Sequence, residues 1–538
     1  MLISACPSPR AWILSALLMA AGSGPATAAL PSTQVAWLSA AAPADIDRAF
    51  AQARSGRKPV LLYWGATWCP PCNQLKATLF NRQDFAALSR SFVAVHVDGD
   101  RPGAQKLGQQ FKVGGYPTLV LLKPDGAELT RLPGEADAEQ VMALLRLGLA
   151  GGRPVKAVLA DARAGQPVAA SEWRLLAFYS FETDDRQMLA GSDAAGVLAE
   201  LAPAAEKPGS GADAETRSRL WLKAVAASDD GKGLKADEPV RERVRQVLAD
   251  GARARAFADI LVNEAPEMVR ALGDGAASRQ AWAECFEPAL QRLQADAGLS
   301  RGDRMSALIS RIELARIELP RDELNPLLPE ALLRDLREQV SAADREISDG
   351  YERQAVIPSA AYALQRAGLW PEAESLLLRN LARSPAPYYL MSQLGGLHRK
   401  LGRKDEALRW YAQAFDRSQG PATRLQWGAG YLQALVDLAP ADAARIEATA
   451  GQLFAEAAAD GGAFYQRSAA SMRRVGRSLQ AWNKDGSHAA AVERLQARLD
   501  GVCARVDAAE GRRAACRSLL GAGWKGAGRK GADRKPAA

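Results

Sequence analysis

Histidine and cysteine are scarce in this chain of 538 residues, which holds three histidines, His96, His398 and His488, and six cysteines. A closed structural zinc site takes four ligands, commonly as two Cys or Cys/His pairs at fixed spacing. Here one pair alone, Cys69 and Cys72, has that spacing. Cys6, Cys285, Cys503, Cys516 and the three histidines form no companion motif, which argues against a metal. A second long apolar run is also lacking. The run "AWILSALLMAAG" after Arg10 falls short of the roughly 20 residues that span a bilayer. The stretch "GPATAALP" behind it offers an Ala26-Thr27-Ala28 cleavage pattern, so residues 1–28 read as a signal peptide, with a retained anchor as the competing reading. The "ISAC" around Cys6 precedes the apolar run, the wrong side for a lipoprotein cleavage site.

Strong charge of one sign is missing as well. The net charge is +8, and Lys525, Arg529, Lys530, Arg534 and Lys535 against Asp533 put +4 of it in a Gly/Ala-rich tail, residues 522–538. The rest is mildly basic and offers no basic face for nucleic acid; the tail reads as solvated and flexible. The expectation is a protein exported to the periplasm, without stable membrane insertion, in an oxidising compartment.

From Pro43 the pattern runs helix, strand, helix, helix, strand, helix, strand, strand, helix. "ADIDRAFAQARSG" precedes the apolar "PVLLYWG"; "NQLKATLF" and "RQDFAALSRS" precede "FVAVHVD"; "GAQKLGQQFK" precedes "PTLVLLKPDGAELTRL", whose Pro124-Asp125-Gly126 turns between two strands. A closing helix runs from about Glu135 to Leu149. Such alternation predicts an α/β domain over 35–150, a mixed sheet covered by helices. After Gly151-Gly152 the strand signal nearly vanishes and helical spacing takes over, which predicts an all-α region from 151 to 521. The stretches 202–216 and 227–239 read as loops or hinges.

Residues 356–420 repeat. Aligning Gly368 with Gly402 also aligns Ala373 with Ala407, Leu377 with Tyr411 and Leu364 with His398, at a period of 34. That is the period of a tetratricopeptide helix pair. Leu394-Gly395, Gly402, Ala407, Tyr411 and Ala414 fall where small and aromatic residues let two helices nest. Fewer than three repeats bury no solenoid core, so degenerate helix pairs are expected on both sides, over 151–355 and 421–521. An irregular bundle with two chance repeats is the alternative.

A dithiol redox site needs one exposed thiolate that attacks a disulfide and a second thiol close enough to resolve the mixed disulfide. Cys69, at a helix N-terminus, is where unpaired N–H groups favour the thiolate, and Cys72 lies one turn on. Pro70 and Pro71 lose no helical hydrogen bond there. A Cys-x-x-Cys inside a βαβ pattern of an exported protein thus points to redox chemistry rather than metal.

"KPVLLYWGATWCPPC", followed some 45 residues on by "GGYPTLVLLKPDGAEL", resembles the thioredoxin superfamily over about Val35 to Leu149. "TLFNRQDFAAL" adds a likeness to the exported branch that includes the C-terminal domain of the DsbD reductase. The resemblance implies that Cys69 is the nucleophile, Cys72 the resolving thiol and Pro117 the cis-proline. It also implies that Trp68, Tyr116 and Thr118 flank the substrate. A cis X-Pro bond would present the backbone of Tyr116 as a pairing edge beside Cys69; a trans Pro117 that merely starts a strand is the alternative. One departure stands out. Six residues before Cys69, where thioredoxins carry a buried aspartate, this chain has Tyr63. A phenol is a poor proton acceptor at neutral pH, though Tyr63 also suits a packed strand position.

Cys503 and Cys516 flank "ARVDAAEGRRAA", where Glu510-Gly511 suits a turn between two helices and hence a structural disulfide. Cys285 is left over, as a buried apolar residue. The reading is an exported thiol:disulfide oxidoreductase acting on protein disulfides, as reductase or interchange enzyme more than oxidase, because Pro-Pro gives the loop no donor to stabilise a thiolate. It needs no cofactor or metal, takes electrons from a thiol donor, and recruits protein partners through the helical repeats. The rival reading is a helical-repeat scaffold whose thioredoxin-like domain is largely non-catalytic.

Overall fold

The computed structural model describes residues 34–521 apart from 135, 185, 186, 190–192, 230, 509 and 510. The expected signal peptide, Cys6, Glu510 of the expected turn and the basic tail lie outside the described residues. Strands β1 (Leu38–Ala40), β2 (Val60–Gly65), β3 (Val93–Asp98), β4 (Thr118–Leu122) and β5 (Glu128–Leu132) form one sheet in the order β1-β3-β2-β4-β5. β1, β3 and β2 run parallel, and β4 and β5 add on antiparallel. The helices between them are α1 (Pro43–Gly56), α2 (Pro70–Leu75), α3 (Gln83–Leu88), α4 (Ala104–Gln110) and α5 (Ala138–Leu149). β1 was not foreseen, since three residues with one buried side chain carry no periodicity.

β2 is buried along its whole length, as a central strand covered on both faces must be. Val60, Leu62 and Trp64 meet Val95, Val97 and Val120 on the α1 side, whereas Leu61 and Tyr63 meet Leu119, Leu121 and Val141 on the other. That second layer continues past the expected boundary at 150. Leu175 and Phe178, in and just after the helix Ala170–Ala177, belong to the same apolar cluster. The fully buried Arg131 of β5 donates to the carbonyls of Phe111 (2.8 Å), Lys112 (3.0 Å) and Thr183 (3.2 Å) and pairs with Glu128. The sheet is therefore completed by residues up to about 184.

Beyond residue 150 the described residues form helices. The loop expected over 202–216 is confined to 207–213: the helix Ala194–Glu206 runs through Pro203, and Ala214 begins the next helix. The two 34-residue segments form two helix pairs, Gly350–Arg366 with Trp370–Asn380 and Pro387–Lys400 with Lys404–Arg417. Gly368 and Gly402 turn the chain at φ 78° and 73°, a left-handed conformation that favours glycine. Gly395 lets the second pair close, because a Cβ there would lie 2.8 Å from the Tyr411 ring. No helix among the described residues is long and apolar enough to cross a membrane.

Candidate active site

Cys69 caps the N-terminus of α2: its Sγ accepts the Cys72 backbone N–H at 3.2 Å, and Pro70 and Pro71 occupy the first helical positions. Asn73 ties the loop down by donating to the carbonyls of Thr67 (2.7 Å) and Cys69 (2.8 Å). The sequence gives no hint of that staple, since asparagine inside a helix ordinarily points to solvent. Cys69 and Cys72 are joined as a disulfide, with Cα atoms 5.2 Å apart. The Tyr116–Pro117 bond is cis. Thr118 is fully buried in β4, and its hydroxyl donates to the Gly115 carbonyl at 2.8 Å.

Behind the pair, Tyr63 is buried and stacks on His96 at 4.9 Å between ring centres. Burial, reinforced by Asp98 and Tyr351, raises its pKa, and its hydroxyl finds no hydrogen-bond partner. Tyr63 is a packed aromatic in this state and a poor proton acceptor. Burial also pushes His96 down to about 4, with Lys76 and Arg101 adding to the effect.

The largest departure from expectation concerns access. Cys69 is 2% exposed, Cys72 is sealed, and both belong to one apolar cluster with Met305, Leu308, Leu394 and Trp427 of the helical region. Trp68 is gripped from three sides. Its indole N–H donates to Thr423 Oγ1 at 3.0 Å, its carbonyl accepts from Gln354 Nε2 at 2.9 Å, and Tyr389 stacks on its ring at 5.8 Å. Thr423 in turn donates to Asp100, which also pairs with Arg467. On the far side of α2, Gln74 Nε2 donates to Asp303 Oδ1 at 2.8 Å, and burial raises the pKa of Asp303. Tyr388 and Tyr389 lie within the 34-residue repeats. That helical surface is occupied by the chain's own redox loop.

Cys503, ending the helix Ala489–Cys503, and Cys516, in Arg512–Arg517, form a second disulfide with Cα atoms 5.6 Å apart. Cys285 is free and only half-buried, against a core cluster of its own.

Residues 46–148 match a family model described as a thioredoxin-like domain. A thiol:disulfide interchange protein, DsbD 2, of Pseudomonas aeruginosa is 32% identical over 111 residues, 20% of this chain and 19% of that protein. The chain thus spans about a fifth of the length of the DsbD proteins it matches. A thioredoxin of Mycolicibacterium smegmatis is 36% identical over 90 residues, 16% of this chain and 74% of that protein. A thioredoxin-like protein of Synechocystis sp. is 33% identical over 99 residues, 18% of this chain but 90% of the relative. With a relative matched across nearly its whole length, and with the dithiol turn and cis-proline in place, the chain belongs through residues 46–148 to the thioredoxin-like family.

Proposed function

We propose that this chain is a thiol:disulfide oxidoreductase that exchanges electrons with protein disulfides through Cys69 and Cys72, working as a reductase or interchange enzyme. One observation carries the reading: a Cys-Pro-Pro-Cys disulfide at the N-terminus of α2, in a domain whose Tyr116–Pro117 bond is cis. Cys69 attacks the substrate disulfide and Cys72 resolves the mixed disulfide; Trp68 and Tyr116 line the approach. A thiol donor returns the electrons, and no other cofactor takes part. The apolar run near the N-terminus supports export to the periplasm.

Redox titration of the full chain with mass-tagging of Cys69 and Cys72 tests this. A potential near −270 mV places the pair with thioredoxin as a reductant, and one near −120 mV with oxidants; a value below about −300 mV marks a structural disulfide and defeats the reading. In cells, Cys72→Ala traps a mixed disulfide through Cys69 and Cys69→Ala traps nothing. Equal trapping by both variants would reverse or void the roles.

The burial of Cys69 favours a second reading, in which the domain is a fixed part of a helical scaffold. The same titration separates the two.

A further inference from the structure

Arg467 stands at the start of the helix Gln466–Trp482, 367 positions from its partner Asp100. Its guanidinium lies 5.1 Å from the ring centre of Trp68 and 5.1 Å from that of Tyr116. These are the residue before Cys69 and the residue before the cis-proline. The side chain pairs with Asp100 and donates to Gln426 Oε1 at 3.0 Å and Thr423 Oγ1 at 3.3 Å. Its backbone N–H donates to Gln105 Oε1 at 3.0 Å, and the Gln105 amide holds the Tyr116 hydroxyl at 2.7 Å. Burial works against its charge, yet Asp100 and Tyr116 keep its pKa above the ordinary arginine value. One cation from the helical region thereby grips both the redox loop and the cis-proline segment.

A disulfide substrate needs that same space. Its chain pairs with the backbone edge at Tyr116 while its sulfur approaches Cys69 past Trp68. Arg467 covers both rings, and Tyr389 and Trp427 pack on that of Trp68, so substrate and cover exclude one another. The latch is also suited to release. A buried ion pair adds little net stability, because both ions regain water when they separate, whereas deleting one ion strands the other.

Resting on the oxidoreductase reading above, we propose that Arg467 is a positioning residue for exchange. It latches the helical region over Cys69, and a disulfide substrate reaches the sulfur only when the guanidinium leaves the Trp68–Tyr116 cleft. The substrate's apparent affinity is then its intrinsic affinity scaled by the fraction of molecules unlatched.

The test uses the full chain, reduced, with iodoacetamide labelling of Cys69 and of the half-buried Cys285 as internal control. Arg467→Ala is expected to speed Cys69 labelling at least tenfold and leave Cys285 unchanged, with Arg467→Lys giving partial rescue through its retained charge. Should Arg467→Ala fail to fold by circular dichroism, Thr423→Val removes the neighbouring bonds to Trp68 and Asp100 and is expected to act in the same direction. Wild-type Cys69 labelling at the rate of the variants overturns the latch, as does equal acceleration of Cys69 and Cys285, which signals general loosening. Insulin reduction by the same proteins separates the two ideas. Unlatched variants that label fast but never reduce insulin keep the latch and defeat the oxidoreductase reading; wild type that reduces insulin at the variants' rate does the opposite.

Discussion

Gly134, just after β5, offers a sharp test of the substrate face. A Cβ built there would lie 2.3 Å from Pro117 Cγ and 2.8 Å from Cδ. Carbon atoms rest at about 3.5–4.0 Å, so Gly134→Ala forces the two apart by at least about 1 Å. Pro117 is a rigid ring whose next residue, Thr118, is locked into the central layer by its bond to Gly115, and it has little freedom to yield. Overpacking of this kind costs about 1–3 kcal/mol. A misplacement of about 1 Å in a group that positions the substrate costs on the order of 100-fold in rate. The expected result is a lower denaturation midpoint together with slowed exchange between the full chain and a protein disulfide. Gly430→Ala is the control: its Cβ meets nothing within 4 Å inside the helix Pro421–Leu438, and the change is expected to be neutral or to stabilise by up to about 1 kcal/mol. Wild-type stability and exchange in folded Gly134→Ala would show that this loop does not bear on Pro117, and the argument for the face would fail.

Replacing Cys503 and Cys516 by serine opens a loop of sequence separation 13 and should cost about 3 kcal/mol by the chain-entropy model; peptide mapping that finds both thiols free in isolated wild type removes the premise. Tyr63→Phe deletes a buried hydroxyl that has no partner and should gain about 1 kcal/mol with exchange kinetics unchanged; slowed resolution of a mixed disulfide would instead assign the phenol a part in proton transfer. His96, held neutral down to about 4 by burial, binds a proton in the unfolded chain from pH 6.5 downwards while the folded chain does not. Stability should therefore fall by up to about 3 kcal/mol between pH 6.5 and 4, and His96→Gln should flatten that limb of a urea-midpoint series.

What the sequence reveals of this protein follows from the range over which its residues interact. Cys69, Pro70, Pro71 and Cys72 act within one helical turn, so their capping geometry is readable from spacing. The Pro124–Gly126 turn and the paired glycines Gly368 and Gly402 are equally local, for each answers to the backbone of its own neighbours. Arg131 and the Leu175–Phe178 segment escape notice because a buried arginine in a strand and a helix after a Gly-Gly break look like an edge and a new domain. The cover over Cys69 is the extreme case. Thr423, Gln354 and Arg467 sit in ordinary amphipathic helices, and nothing about their own neighbours marks them as partners of Trp68. Even the repeats mislead in part. Period and small residues foretell the helix pairs, but the side chains that fill their surface come from the redox loop.

The distance along the chain between the redox loop and its cover has a meaning in time. Trp68 and Thr423 are 355 positions apart, and synthesis proceeds at about 5–20 residues per second, so the dithiol exists without its lid for roughly 20–70 s in every new molecule. Arg467 arrives later still. Until then the helices that bring Thr423 and Arg467 to Trp68 are absent, so a thiol or oxidant that meets the chain before that point meets an uncovered pair.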